Sequence, residues 1–268
     1  MSGATSPPPQ RLVSLVPSLS ETLWWWHLAD RLVAVTDWCV APPRAFPRAR
    51  RIRGTKNPDV AAIIALAPDL VIADQEENRE HDVRRLRDAG IEVHVTRVRS
   101  VTDAGHELVR LGEAVGRPDA GEGTRQALRR AVDQLRPPSR RLRAACPIWR
   151  DGSGRGADET WWVVGGDTFA GDLLARSGFD TVADGPDQRY PRMTLADLAV
   201  TDPDVVLLPD EPFAFAAPDA EVFATWRSRV RFIDGTALTW WGPRTPTALG
   251  DLSRLARQLA RPSRGRAG

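Results

Sequence analysis

The 268-residue chain holds one lysine, one tyrosine and two cysteines, and no apolar run in it approaches the length of a membrane span. Each shortage excludes something. A bilayer crossing takes about 20 consecutive apolar residues, so membrane insertion is not expected. Cys39 and Cys146 lie far apart and form no metal-type spacing, so both read as ordinary thiols and not as a disulfide or zinc framework. The first ten residues, MSGATSPPPQ, lack the basic and apolar stretches of an export signal and read as disordered. A cytoplasmic protein is therefore the expectation, with an extracytoplasmic one as the alternative if the true start lies upstream. Charge of one sign is also scarce, since 37 Lys and Arg are interspersed with 35 Asp and Glu for a net +2. That pattern makes no basic face for nucleic acid. Nearly all the bases are arginine, so Lys56 stands out as a place where an ammonium group in particular is wanted.

Catalytic constellations are missing too. GSGRG at 152–156 lacks the Lys-Ser or Lys-Thr of a phosphate loop and leads into ADETWWVV, so it reads as a turn between strands. The four histidines are poor metal ligands by position. His27, His81 and His106 fall on predicted helices and His94 in mid-strand, away from the turns where ligands of α/β proteins sit. No metal site and no required cofactor are expected.

What is present is alternation. RLVSLVP, RLVAVTD, DLVIAD and IEVHVT are strand-like runs separated by amphipathic helical stretches, which predicts a parallel α/β lobe over 11–100. SLSE matches a capping-box start, and Gly90 marks a helix end. From 101 to 137 the pattern is purely helical, with a long helix predicted over 118–136 until RPPSRR stops it. LRAACPIW, TWWVVGG, DVVLLPD and VRFIDG then restore the alternation over 138–262, and 263–268 reads as a polar tail. One helix–Pro-Asp–strand unit occurs in each lobe, NPDVAAIIALAPDLVIAD and TLADLAVTDPDVVLLPD, with Ala61 and Ala196 each seven positions before the strand's proline.

Several aromatic and charged residues lie where such lobes bind. Trp24, Trp25 and Trp26 are consecutive on a helix and cannot share a face, so core packing is favoured for them. Trp161 and Trp162 occupy a strand, where neighbours point to opposite sides, so one is expected buried and one presented. Trp240 and Trp241 precede the turn-rich GPRTP, and at least one is expected at a ligand. Arg244 beside them either holds an anionic ligand edge or is a solvated loop residue. Asp74, Gln75, Glu76 and Glu77 follow a strand; complementing a helix dipole is the favoured reading, and selecting ligand amides or cations the other. Asp210, Glu211 and Phe213 occupy the equivalent turn of the second lobe.

RLVSLVPSLSETL, VAVTDWCVAPP, GTKNPD, ALAPDLVIA, GGDTFAGDLLARSG and DPDVVLLPD together resemble the two-lobed substrate-binding proteins with a rigid helical backbone, over about 11–262. The resemblance is nearest to their vitamin B12 receptors. It implies two Rossmann-like α/β lobes with a ligand cleft between them, joined by one long helix, and a binder, not an enzyme. The implied ligand is cobalamin or another corrinoid, with haem or a ferric siderophore less favoured, and a monomer is expected. The receptors' aromatic grip falls here on Trp38, Trp162, Tyr190, Trp240 and Trp241; Tyr190 would also be the phenolate of a haem site. Lys56 and Asp74 stand where those receptors carry tryptophan, which implies a more polar and charged site in the first lobe. Relatives that feed an ABC permease carry glutamates where this chain has Ala61 and Ala196. Their loss removes the electrostatic part of docking, and the resulting expectation is a holder or sensor of ligand, with import as the alternative.

Overall fold

The structure is a computed structural model and describes residues 7–40, 42, 44–183 and 189–261. The expected 263–268 tail and most of the expected disordered N-terminus lie outside the described residues. The chain divides into two compact units, 1–98 with 102–127, and 99–101 with 128–268.

The first unit runs β1 (Leu12–Ser14), α1 (Pro17–Trp25), β2 (Leu32–Val35), β3 (Arg50–Arg51), α2 (Val60–Ala65), β4 (Leu70–Asp74), α3 (Glu80–Asp88), β5 (Val93–Thr96), α4 (Val101–Ala114) and α5 (Pro118–Asp133), with Val101 and residues 128–133 of these two last helices counted in the second unit. Its five strands form one parallel sheet in the order β3-β2-β1-β4-β5. β4 is buried along its whole length, as a continuous apolar run in a strand covered on both faces should be. The SLSE capping box does not form. Pro17 takes the first helical position and Val16 the cap, because proline's fixed φ suits a first turn whose N–H is unpaired anyway. Gly90 has φ +79 just past α3, as expected of a left-handed helix end. The long helix stops at Asp133, three residues before the expected 136. Gln134, Leu135 and Arg136 leave it ahead of Pro137 and Pro138, since a residue before proline is driven out of the helical region.

The second unit runs β6 (Leu142–Ala145), β7 (Pro147–Arg150), β8 (Thr160–Val163), α6 (Phe169–Ser177), β9 (Phe179–Thr181), β10 (Arg192–Thr194), α7 (Leu195–Val200), β11 (Val205–Pro209), α8 (Ala217–Glu221), β12 (Arg229–Ile233), α9 (Gly235–Thr239) and α10 (Thr245–Ala260). A parallel sheet β12-β11-β6-β9 forms its centre. An antiparallel sheet β10-β8-β7 stands beside it, which the alternation did not predict. LRAACPIW, expected as one strand, is broken at Cys146 into β6 and β7, which belong to different sheets.

The repeated sequence unit is a repeated structure. Asp59 caps α2 by accepting from the Ala62 amide at 3.0 Å, and Thr194 caps α7 in a reciprocal capping box with Asp197. Both helices are six residues long. Ala67 and Asp202, at the same offset, both take the left-handed region at φ +43 and +45 before the prolines. Ala61 and Ala196 are the second residue of each helix, and both are exposed.

Candidate ligand-binding site

All strands of a parallel sheet end on the same side, so the loops after β1, β2, β3 and β4 gather along one edge of the first unit. The turn after β2 is pinned from below. Buried Cys39 lies 3.0 Å from the Ser20 hydroxyl and 3.1 Å from that of Thr36, and Arg51 donates to the carbonyls of Thr36 and Cys39 at 2.9 Å each. Burial holds the Cys39 thiol above its ordinary pKa, against the hydrogen bonds from Ser20 and Thr36. Trp38 sits at the tip of this turn, 65% exposed. Its indole reaches the Lys56 loop: a Cβ placed on Gly54 would come within 3.2 Å of Trp38 Nε1.

Lys56 is exposed, and its ammonium donates to the Glu76 carbonyl, so the lone lysine joins its loop to the acidic turn. Asp74 differs from both readings of that turn. It is the last residue of β4 and buried, and α3 begins only at Glu80, so it complements no helix dipole. One oxygen accepts from the amides of Glu76 and Glu77 at 2.8 and 3.3 Å, and the other from the Thr96 hydroxyl at 2.7 Å. Burial pushes its carboxyl up, opposed by these bonds and by Lys56. Asp74 therefore shapes the turn from beneath. Asn78, which the sequence pattern did not single out, ties the edge together by donating to the carbonyls of Thr55 and Leu15 and accepting from the Asp74 amide.

In the second unit, Trp161 and Trp162 divide as strand geometry requires. Trp161 is fully buried and stacks on Phe215 at 5.3 Å, while Trp162 is 39% exposed. Trp240 and Trp241 also divide. Trp241 is buried in the core, and Trp240 is half-buried with the Arg244 guanidinium 5.2 Å from its ring centroid. Arg244 donates to the Thr236 hydroxyl at 2.6 Å, so it is a held residue and not a free loop arginine. Glu211 hydrogen-bonds the Trp240 side chain, and burial together with Asp210 raises its pKa against that bond and Arg244. Acid, indole and guanidinium thus form one cluster, with Asp210 and Asp234 at its margin. An open depression beside it is lined by Asp210, Phe215, Phe232, Ile233 and Asp234. Phe213 is half-buried, edge-on to Trp149 at 5.7 Å. Tyr190 is half-buried just before β10.

The expectation of core packing for Trp24 to Trp26 holds only for Trp26. It is buried and donates to the Thr124 hydroxyl at 3.0 Å, whereas Trp24 and Trp25 are 37% and 53% exposed. Trp26, which caps the helix, falls three, four and seven positions after Leu23, Thr22 and Leu19 and so shares their buried face, while Trp24 and Trp25 do not. His27, φ +60, lies in the turn that follows and not on the helix. Among the described residues no three His, Cys, Asp or Glu side chains come together as a metal site, and no helix is long and apolar enough to cross a membrane.

Residues 12–222 match the family model for periplasmic binding proteins. The chain is 22% identical over 201 residues to the vitamin B12-binding protein of Vibrio vulnificus, covering 75% of this chain and 71% of that one. It is 30% identical over 203 residues to a cobalamin-binding protein of Halobacterium salinarum, covering 74% and 53%. The match to the Vibrio cholerae vitamin B12-binding protein spans 46% of that protein's length. Among solved structures, the periplasmic vitamin B12 binding protein of Vibrio cholerae superposes with a TM-score of 0.78 at 17% identity, over 95% of this chain and 99% of that one. A periplasmic haem-binding protein from Pseudomonas aeruginosa gives 0.77 at 25% identity, over 95% of each. With two α/β units of this kind and a family match over most of its length, the chain belongs to the periplasmic binding protein family.

Proposed function

We propose that this protein is a non-catalytic binder of a metal-chelate macrocycle, a corrinoid first and haem or a ferric siderophore after it. One observation carries the reading. Trp38 and Trp162 hold large indole faces in solvent, on a turn and a strand that the surrounding structure fixes. Burying such faces against a ring system is favourable, and their rigid mounting lowers the entropic cost of doing so. The names of the curated relatives point to the same ligand class.

In this reading Trp38 and Trp162 grip the ring, with Phe213, Tyr190 and Trp240 completing the aromatic contacts. Lys56 and Arg244 meet polar or anionic edges of the ligand. Asp74 and Trp241 support these residues from within. Ala61 and Ala196 favour a holder or sensor over delivery to an ABC permease, because neither of these two exposed positions offers a charge to steer docking. Import is the second reading, favoured by family membership and by the periplasmic relatives.

Titration of the purified protein with cobalamin, dicyanocobinamide, haem and a ferric siderophore, followed by tryptophan fluorescence, tests the ligand class. Saturable quenching at micromolar or lower concentration by one of them is expected. Failure of all four to quench would defeat the proposal.

A further inference from the structure

We infer that Trp149 is a further ligand-contacting indole, and that with Trp162 it forms a platform for the uncharged, conjugated face of a flat macrocycle. The inference rests on the binding reading above and specifies which surface of the ligand this unit takes. Trp149 and Trp162 are register partners across the antiparallel pair β7–β8, and next along the row Arg192 of β10 pairs with Trp162. Directly opposed residues share a face of a sheet with Cβ atoms about 5 Å apart. Both indoles are on the solvent side, 46% and 39% exposed, while the next opposed pair, Arg150 and Trp161, turns inward.

The charge pattern says what kind of surface fits. Arg192 donates to Asp151 and Ser153, and the Asp151 carboxylate also accepts from the hydroxyls of Ser153 and Thr160. The charges flanking the indoles are thus already paired with each other. Their mutual engagement leaves the two indoles as the unengaged part of this face, which suits a neutral π surface. Phe213 meets Trp149 edge-on, which extends the aromatic surface toward the loop after β11.

The platform is also held from behind. Arg150 donates to both Glu159 oxygens and, at 2.7 Å, to Asp219, and its guanidinium lies 5.4 Å from the Trp161 ring centroid. Glu159 opens the approach to β8, and Asp219 sits in α8 and accepts from the Ala216 amide at 2.8 Å. One partly buried network therefore ties the hairpin to the segment that carries Phe213 and Phe215. Two exposed indoles on a scaffold this constrained make a preorganised contact surface.

The test titrates the full chain and its Trp149→Ala, Trp149→Phe and Trp24→Ala variants with haem and with dicyanocobinamide. Ligand absorbance is read alongside fluorescence, so that losing one indole does not distort the readout. With unchanged circular dichroism, Trp149→Ala should weaken binding about five- to tenfold, as loss of one aromatic contact does. Trp149→Phe should recover most of that loss, and Trp24→Ala should bind as wild type. Wild-type affinity in Trp149→Ala overturns the inference and leaves the binding reading standing. Absence of binding of either probe to the wild-type chain overturns both. A dimer in sedimentation velocity that Trp149→Ala converts to monomer would show a second copy of the chain covering this face, and also overturns the inference.

Discussion

The Arg150 guanidinium lies 5.4 Å from the Trp161 ring centroid and bridges Glu159 and Asp219, two carboxylates that are 7% and 8% exposed as residues. Removing the arginine leaves both acids without their partner in a poorly solvated place. Arg150→Ala is expected to destabilise the protein by about 1–3 kcal/mol, since breaking a partly buried pair strands its partner at a cost that solvent reduces. Arg150→Lys should recover only part of this, because an ammonium cannot reproduce the forked contact. Urea unfolding of the three proteins measures it.

Asp74 gives a prediction about pH. Its folded-state pKa is raised by burial, so between the unfolded and folded values the native state binds more protons than the unfolded chain. Its contribution is full below the ordinary carboxylate range and is lost as pH rises through the elevated value. Asp74→Asn keeps an acceptor for the Glu76 and Glu77 amides and cannot ionise, so it should be neutral or stabilising at pH 7 and should flatten this part of the pH profile. Asp74→Ala leaves the turn amides without their acceptor and should cost about 1–3 kcal/mol. Thermal unfolding of both variants from pH 4 to 8 separates the two effects.

Gly235 opens α9 against the backbone of Glu211. A Cβ there would lie 2.4 Å from the Glu211 nitrogen and 2.6 Å from its oxygen, and neither can swing aside as a side chain could. Gly235→Ala is therefore expected to cost about 1–3 kcal/mol by overpacking. It should also weaken ligand binding more than Gly250→Ala, which meets open space. Calorimetric titration of both variants with the ligand that binds wild type checks this.

Ala61 and Ala196 are second residues of their helices, where an acid interacts favourably with the helix N-terminus. The Ala61→Glu, Ala196→Glu double variant should fold with stability unchanged or raised by about 0.5 kcal/mol per site. Ligand affinity should be unaltered, because the change touches neither aromatic edge. Melting temperature and ligand titration of the double variant check both statements.

The α/β plan was legible because β4 and β11 are continuous apolar runs and because the βα repeat reaches down to the left-handed residues Ala67 and Asp202. GSGRG was legible as a turn between strands, but the antiparallel pairing of β7 with β8 across residues 151–159 was not, because the alternation of the rest of the chain pointed to parallel strands. Without that pairing Trp149 had no visible partner, although PIWR facing TWWV carried the signal. Strand alternation anticipated the separation of Trp161 from Trp162. It could not anticipate Asp74, whose carboxylate is engaged by Thr96, 22 residues later in the chain.

Binding through Trp38 and Trp162 is the central claim, and a quantitative titration of wild type against the Trp38→Ala, Trp162→Ala double variant tests it most directly. Wild type should bind a corrinoid or haem with micromolar or tighter affinity, and the double variant, folded by circular dichroism, should bind about a hundredfold more weakly, roughly two aromatic contacts of 1–1.5 kcal/mol each. Undiminished affinity in the double variant would show that the ligand is held elsewhere and contradict the account.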